Sequence, residues 1–218
     1  MSQIADSVNK KTGEIVRYAP GTRMTHWIIA LTFVLLALSG LAMFYPPLFW
    51  LSNLFGGGDT MRAVHPWLGL VMVVAFFALA GKLHRDMKMH ERDRQWLRQL
   101  ADVTANREEK LPEVGRYNAG QKLVYLVALL SMIVMLLTGL EIWRAYFTAY
   151  FPVDLTRLAS LLHAFFAFVL ILTIIVHIYA AIWIKGSVRA MTRGNVSYGW
   201  AWKHHRAWFR EVTRGQQK

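Results

Sequence analysis

Long apolar stretches separated by short polar segments dominate the chain. Four of them, at about residues 24–46, 63–84, 120–143 and 155–185, reach the roughly 20 residues that a transmembrane helix needs. The pattern predicts an all-α membrane protein in which four transmembrane helices form a bundle. Residues 1–23 lack the apolar core of a secretory signal, so the first span is expected to serve as its own insertion signal.

Basic residues are distributed very unevenly around these spans. Of the 25 Lys and Arg residues, 22 lie in or beside the two termini and the 85–121 loop, and 3 lie on the other side. The positive-inside rule therefore predicts a bacterial inner-membrane protein with both termini in the cytoplasm. The net charge of +12 is then balanced by anionic membrane lipids. No nucleic-acid partner is expected, because the basic residues flank spans instead of clustering with exposed aromatics.

The same pattern divides the chain into three parts. A cytoplasmic segment covers residues 1–23, the four-span domain covers 24–185, and a cytoplasmic tail covers 186–218. The chain contains no cysteine, which excludes disulfides, thiolate-bound iron–sulfur clusters and covalent haem attachment within it. Any metal must be held by histidine or oxygen ligands, or arrive with a cofactor.

Two histidines interrupt the fourth apolar stretch, His163 and His177 in LLHAFFAFVLILTIIVHIY. An ionisable residue inside a membrane span is a candidate functional residue, because burying a polar side chain without a partner costs about 2–7 kcal/mol. Along an α-helix, 14 residues rise about 21 Å and leave only about 40° between the side chains. The imidazoles should face the same way at two depths, with His163 nearer the periplasm and His177 nearer the cytoplasm.

Two further histidines lie in the first and second spans. The predicted orientation puts His26 at the depth of His177 and His65 at the depth of His163. Two histidines at each of two depths suit two b haems, because each six-coordinate iron takes two axial imidazoles, whereas zinc normally takes four ligands at one place. Hydrogen bonding between helices is the alternative role for a single membrane histidine. Small residues that would leave room for a flat macrocycle follow each histidine by four positions: Ala30, Gly69, Ala167 and Ala181.

A short internal repeat accompanies this pattern. LLALSGL (35–41) and VMLLTGL (134–140) are offset by 99 residues, and the next histidines, His65 and His163, are offset by 98. The repeat suggests two helical hairpins related as parallel repeats. The four histidines outside the spans are expected to be solvent-exposed: His84, His90, His204 and His205.

Motifs spread along the chain resemble the gamma subunit of respiratory formate dehydrogenase. They are RMTHW, VHP, GRYNAGQK, IWRAYF, the H-x13-H pair, WIKGS and KHHRAWFRE, in chain order. The similarity extends from about residue 15 over nearly the whole chain. Two alternatives remain: a cytochrome b subunit of a hydrogenase or thiosulfate reductase complex, and a haem-free proton relay or scaffold protein.

The resemblance implies a dihaem cytochrome b that anchors an iron–sulfur β subunit and a molybdenum or tungsten catalytic α subunit. His65 and His163 would hold the outer haem, and His26 and His177 the inner haem. Electrons from formate would cross both haems and reduce menaquinone or ubiquinone near the cytoplasmic face. The chain would thus transfer electrons to quinone without acting on formate itself. The sequence does not specify which quinone is used or whether the complex forms a trimer.

The resemblance also implies a quinone pocket formed by Asn118 and Gly120, with Gln121 adjacent and His177 at its border. From the residues alone, a loop leading into the third span with Asn118 as its N-cap is the favoured interpretation.

Two arginines mark the outer ends of the third and fourth spans. Arg144 and Arg157 are candidate partners of haem propionates, because a guanidinium group matches a carboxylate in geometry. They are equally suited to anchoring the protein at the membrane surface.

Overall fold

The computed structural model describes residues 8–9, 12–105 and 107–214, which are mostly helical. The helices, in chain order, are α1 (Pro20–Phe44), α2 (Gly58–Leu83), α3 (Glu91–Arg98), α4 (Leu100–Thr104), α5 (Ala119–Glu141), α6 (Val153–Trp183), α7 (Ser187–Thr192), α8 (Tyr198–His204) and α9 (Arg206–Arg214). Helices α1, α2, α5 and α6 are long and apolar enough to cross a membrane. This confirms the four-span fold predicted from the apolar pattern.

The first two long helices begin several residues before the apolar stretches that predicted them. Pro20 occupies the first position of α1, where its missing N–H has no intrahelical partner to lose. Asp59 lies in the first turn of α2, where a negative charge is favourable. Both residues favour the start of a helix, so each helix includes polar residues that lie before its apolar stretch.

Short elements occupy the connections between the helices. Three 3₁₀-helices cover Pro46–Phe55, Glu108–Lys110 and Thr148–Tyr150. Three strands form a small antiparallel sheet: β1 (Val8–Asn9), β2 (Glu14–Val16) and β3 (Asn195–Ser197). Strand β2 lies in the middle, with Ile15 opposite Val196. A strand near the N-terminus therefore pairs with one that follows the last long helix.

The chain divides into two compact units, one of which comprises Thr25–Leu79 and Val127–Val176. A core in this unit is formed by Met72, Ala128, Met132 and Leu170. Many large apolar side chains on the same helices stay exposed, among them Leu31, Val74, Leu137 and Leu172. Exposed leucine and valine are compatible with lipid tails, which are equally apolar.

The other unit comprises Met1–Met24, Ala80–Leu126 and His177–Lys218, within the described residues. Its core joins the sheet to the tail helices and contains Ile15, Tyr18, Met87, Tyr117, Ala190, Val196, Ala201 and Trp208. Trp208 of α9 packs into this core and is only 2% exposed.

Candidate functional site

Ser39 of α1 positions the imidazole of His65 on α2. The Ser39 hydroxyl donates to the Leu35 carbonyl at 2.8 Å, so its oxygen accepts the Nδ1–H of His65 at 2.7 Å. This network assigns the Nδ1–H tautomer to His65. The lone pair of Nε2 is therefore the free ligand atom, as in metal-binding histidines whose other nitrogen is held by a polar partner.

Thr138 of α5 does the same for His163 on α6. Its hydroxyl donates to the Val134 carbonyl at 2.6 Å, and its oxygen accepts the Nδ1–H of His163 at 2.9 Å. A Cβ atom on Gly139 would lie 3.2 Å from Cε1 of His163, which is tighter than nine in ten real contacts. Alanine at 139 would therefore displace the imidazole by a few tenths of an ångström.

The two arrangements are copies of each other on two helical hairpins. In the first hairpin Gly40 follows the serine, and a Cβ atom there would lie 3.7 Å from Cε1 of His65, an ordinary contact. His65 and His163 belong to the same compact unit and lie close enough to interact electrostatically. The structure thus brings together two half-buried imidazoles, each with Nε2 available as a ligand.

These residues fit the axial ligation that a b haem needs. Two imidazoles with Nε2 available would supply the two nitrogen ligands of a haem iron. A Cβ atom on Gly69, one turn after His65, would meet no other heavy atom within 4 Å. The helix face beside His65 is therefore open to a flat macrocycle, as the small residue at this position predicted.

The second predicted pair is less closely defined. His26 lies on α1, where its ring makes an edge contact with Trp27 at 5.4 Å, and His177 lies on α6. Both side chains are half-buried. Their pairing at one haem stays a prediction.

The quinone-site motif forms the N-terminal cap of α5. Asn118 Oδ1 accepts the backbone N–H of Gln121 at 2.9 Å, and Gln121 Oε1 accepts the backbone N–H of Asn118 at 3.0 Å. Asn118 is therefore an N-cap, as the residues alone suggested, and each amide NH2 group is left available as a donor. A Cβ atom on Gly120 would lie 3.3 Å from the Trp96 ring, so glycine lets α3 pack closely here.

Other residues of GRYNAGQK hold the same region together. Arg116 and Arg17 each donate to the backbone carbonyl of the other at 2.5 Å, with Tyr18 and Trp208 beside the guanidinium groups. Lys122 forms a buried ion pair with Asp93, at 2.6 Å between Nζ and Oδ2. The motif thus has a structural role along most of its length.

The Asp93 carboxylate is stabilised in its charged form. Burial opposes the charge, but the hydrogen bonds from Lys122 and from the backbone N–H of His90 outweigh it and lower the pKa of Asp93. This pair fixes the first turn of α3 against the start of α5.

The expectation that all four remaining histidines are solvent-exposed is wrong for His205. Its side chain is 2% exposed, and its Nδ1–H donates to the Gly115 carbonyl at 2.8 Å. Burial and the nearby Arg17 hold the pKa of His205 well below its usual range. His84 and His90 are exposed as expected, and His204 is half-buried. His205 is buried because the junction of α8 and α9 packs against the loop that contains Gly115.

The two arginines proposed for propionates lie at the ends of their helices. Arg144 is exposed in the turn after α5. Arg157 is exposed in the first turn of α6, where it pairs with Asp154 at 3.4 Å. Their contact with propionates stays a prediction.

The residues that sequence reasoning missed are the hydroxyl partners Ser39 and Thr138. The signal was present, because LLALSGL and VMLLTGL end in Ser-Gly-Leu and Thr-Gly-Leu at nearly the same offset as the two histidines. The repeat predicts two related hairpins. Its sequence alone does not show that the Ser and Thr hydroxyls contact the two histidines.

The chain is similar to cytochrome b subunits of known complexes. A family model described as prokaryotic cytochrome b561 matches residues 17–194. The cytochrome b556(fdo) subunit of formate dehydrogenase from Escherichia coli (strain K12) is 38% identical over 96% of this chain and 98% of its own. The nitrate-inducible cytochrome b556(Fdn) subunit from the same strain is 39% identical over 95% of this chain and 96% of its own. The formate dehydrogenase cytochrome b556 subunit of Haemophilus influenzae is 38% identical over 90% of this chain and 83% of its own.

These matches decide between the alternatives left by the sequence. A cytochrome b family implies haem b, which contradicts the haem-free relay or scaffold. The relatives named above are formate dehydrogenase subunits, which favours that group over hydrogenase and thiosulfate reductase subunits. The chain belongs to the prokaryotic cytochrome b561 family and, within it, with the cytochrome b556 membrane subunits of formate dehydrogenases.

Proposed function

We propose that this chain carries electrons through two b haems, from a periplasmic iron–sulfur subunit to a quinone at the cytoplasmic side of the inner membrane. The observation that carries the proposal is the duplicated arrangement in which Ser39 holds His65 and Thr138 holds His163. The iron–sulfur subunit would in turn receive electrons from a molybdenum or tungsten subunit that oxidises formate. This assignment of partners rests on the names of the relatives.

His65 and His163 bind the iron of the outer haem through Nε2. When bound, the haem supplies reversible one-electron chemistry. Ser39 and Thr138 keep both imidazoles in the ligating tautomer and make them more basic ligands. A ring held in place by a neighbouring helix needs little reorganisation when the charge on the iron changes.

His26 and His177 bind the inner haem. The support is their equal predicted depth and the 14-residue separation of His163 from His177, which places the two levels about 21 Å apart along α6. The outer haem would then lie nearer the electron donor, and the inner haem nearer the quinone.

Orientation follows from the basic residues on the side of both termini. An electron moving inward works against a negative-inside potential, at about 2.3 kcal/mol per 100 mV. Formate, a strongly reducing donor, supplies this energy. Protons for quinone reduction are taken up from the cytoplasm, which makes the transfer electrogenic.

The quinone binds beside His177, near the cap of α5. The side-chain NH2 groups of Asn118 and Gln121 donate to a quinone carbonyl, since their oxygens are already used by the cap. Gly120 keeps the backbone close to Trp96 and leaves the cap undistorted. These side chains orient the quinone, and water from the cytoplasm delivers its protons.

The order of electron transfer tests this proposal in the purified complex. With His26→Ala, formate should reduce the remaining haem, but quinol should not form. With His65→Ala, neither haem reduction nor quinol formation should occur, because the entry point is lost. His84→Ala is the matched control and should behave as wild type, since this ring is exposed and bonded to Gly81. Reduction of the inner haem in the His65 variant at the wild-type rate would overturn the proposed order.

A further inference from the structure

A cleft of about 820 Å³ lies where α6 ends and the tail begins. Its walls come from α6, α7, β3 and α8, all within one compact unit. Trp183, Lys185, Arg189, Trp200 and Lys203 are among its lining residues. No residue proposed above to bind haem or quinone lines this cleft.

The cleft carries positive charge that the protein does not neutralise. Arg189 pairs with Glu14 and donates to Asn195, so its charge is already balanced. Lys185 and Lys203 make no ion pair with any of the described residues. Two lysines that form no ion pair with the described residues therefore line one cleft.

The cleft also holds an unused hydrogen-bond donor. The Nε1–H of Trp200 is buried and has no acceptor among the described residues, although the ring itself is held between Arg17 at 5.1 Å and His205 at 5.0 Å. A buried donor without an acceptor at the wall of a cleft is available to a ligand. His204 contributes no charge at neutral pH, because burial and Lys203 lower its pKa to about 4.

An apolar strip on α6 leads to the same cleft. Tyr179, Ile182 and Trp183 are each more than half exposed, and the rings of Tyr179 and Trp183 stack at 5.7 Å. Aromatic residues at the end of a span are typical of the membrane interface. A ligand in the cleft can therefore combine an anionic head with acyl chains along this strip.

We propose that the cleft binds the phosphate group of an anionic phospholipid, with Lys185, Lys203 and the Trp200 indole N–H as its contacts. The acyl chains lie along the exposed strip of α6. The lipid would tie the end of α6 to the tail helices. Only the assignment to the cytoplasmic leaflet rests on the proposed function, through the orientation of the chain.

Native mass spectrometry of the purified haem-containing chain in neutral detergent tests the proposal. Phosphatidylglycerol, phosphatidylcholine and inorganic phosphate are titrated separately. Phosphatidylglycerol should bind in preference to phosphatidylcholine, and millimolar phosphate should not displace it. Lys185→Gln with Lys203→Gln should weaken phosphatidylglycerol binding about 30-fold. Trp200→Phe, which keeps the ring but removes the donor, should weaken it about 3- to 10-fold.

Lys82→Gln with Lys110→Gln is the matched control, because both side chains are exposed cations outside the cleft. It should change phosphatidylglycerol binding less than twofold, and an unchanged haem spectrum verifies folding of each variant. If both double variants weakened phosphatidylglycerol binding equally, the effect would come from the overall charge of the protein, and the proposed site would be wrong. Equal binding of phosphatidylcholine would also overturn it, as would displacement by phosphate. None of these measurements involves formate or quinone, so failure here is distinguishable from failure of the proposed function.

Discussion

Removing the hydroxyls of Ser39 and Thr138 should loosen one haem and leave the other unaffected. Each hydroxyl oxygen accepts a hydrogen bond from a histidine Nδ1–H, at 2.7 and 2.9 Å. The double variant Ser39→Ala with Thr138→Ala keeps both imidazoles but frees them to rotate or to change tautomer. Both contacts belong to the pair formed by His65 and His163.

The size of the effect follows from the number of bonds removed. Each hydrogen bond contributes about 0.5–1.5 kcal/mol net, so two contribute about 1–3 kcal/mol. This range corresponds to about 5- to 150-fold faster loss of haem. It overlaps the 10- to 100-fold loss of affinity typical when the hydrogen-bond partner of a ligating histidine is removed.

Haem transfer to excess apomyoglobin measures this effect directly. Wild-type protein should release haem slowly, whereas the double variant should release half of its haem at the faster rate and half at the wild-type rate. Thr32→Ala with Thr173→Ala is the matched control. Both of these hydroxyls donate to carbonyls of their own helices, and no bond from either to a histidine is found among the described residues. If the double variant released all of its haem at the wild-type rate, the hydroxyls would not be positioning the two histidines. Equal acceleration in the control would lead to the same conclusion.

Three further perturbations test other parts of the structure. Lys122→Met leaves the buried Asp93 carboxylate without its lysine partner, at a cost of about 3–5 kcal/mol. Hydrogen exchange of α3 should therefore accelerate at least 100-fold, and adding Asp93→Asn should reverse most of the change. The pKa of His205 is depressed in the folded state, so the stability of the tail should be greatest above about pH 6.5 and fall as the pH drops below it. His205→Asn should flatten this pH dependence, as measured by hydrogen exchange corrected for intrinsic rates. Gly139→Ala places a methyl group against His163 and should shift the midpoint potential of one haem.

Controls separate each of these effects from general damage. Lys82→Met removes an exposed cation and should leave the exchange of α3 unchanged. Gly81→Ala adds a methyl group where no other heavy atom lies within 4 Å, so both potentials should stay at their wild-type values. A tail whose stability does not change between pH 7.5 and 5.5 would contradict the buried neutral state of His205.

The four spans were predictable because the length of an apolar stretch alone decides whether it can cross a bilayer. The positions of the histidines followed from helix geometry. The pairing of His65 with Ser39 was not predictable from spacing, because it joins two helices across a sequence separation of 26 residues. Helical periodicity reports which residues share a face, but it does not report which face meets a neighbouring helix.

The unit that contains the sheet and the tail helices was harder to predict than the spans. Strands β2 and β3 contain three residues each, too few for alternation of apolar and polar residues to be recognised. Their pairing depends on contacts between the two ends of the chain. His205 looked solvent-exposed because basic residues surround it in KHHRAWFRE, and only its packing against the Gly115 loop shows that it is buried.

Haem content per chain tests the central claim most directly. The pyridine haemochrome spectrum of the purified wild-type protein should give two b haems per chain. His65→Ala and His163→Ala should each leave one haem, and the remaining haem should have the same midpoint potential in both variants. One haem in the wild type, or different remaining haems in the two variants, would contradict the pairing of His65 with His163.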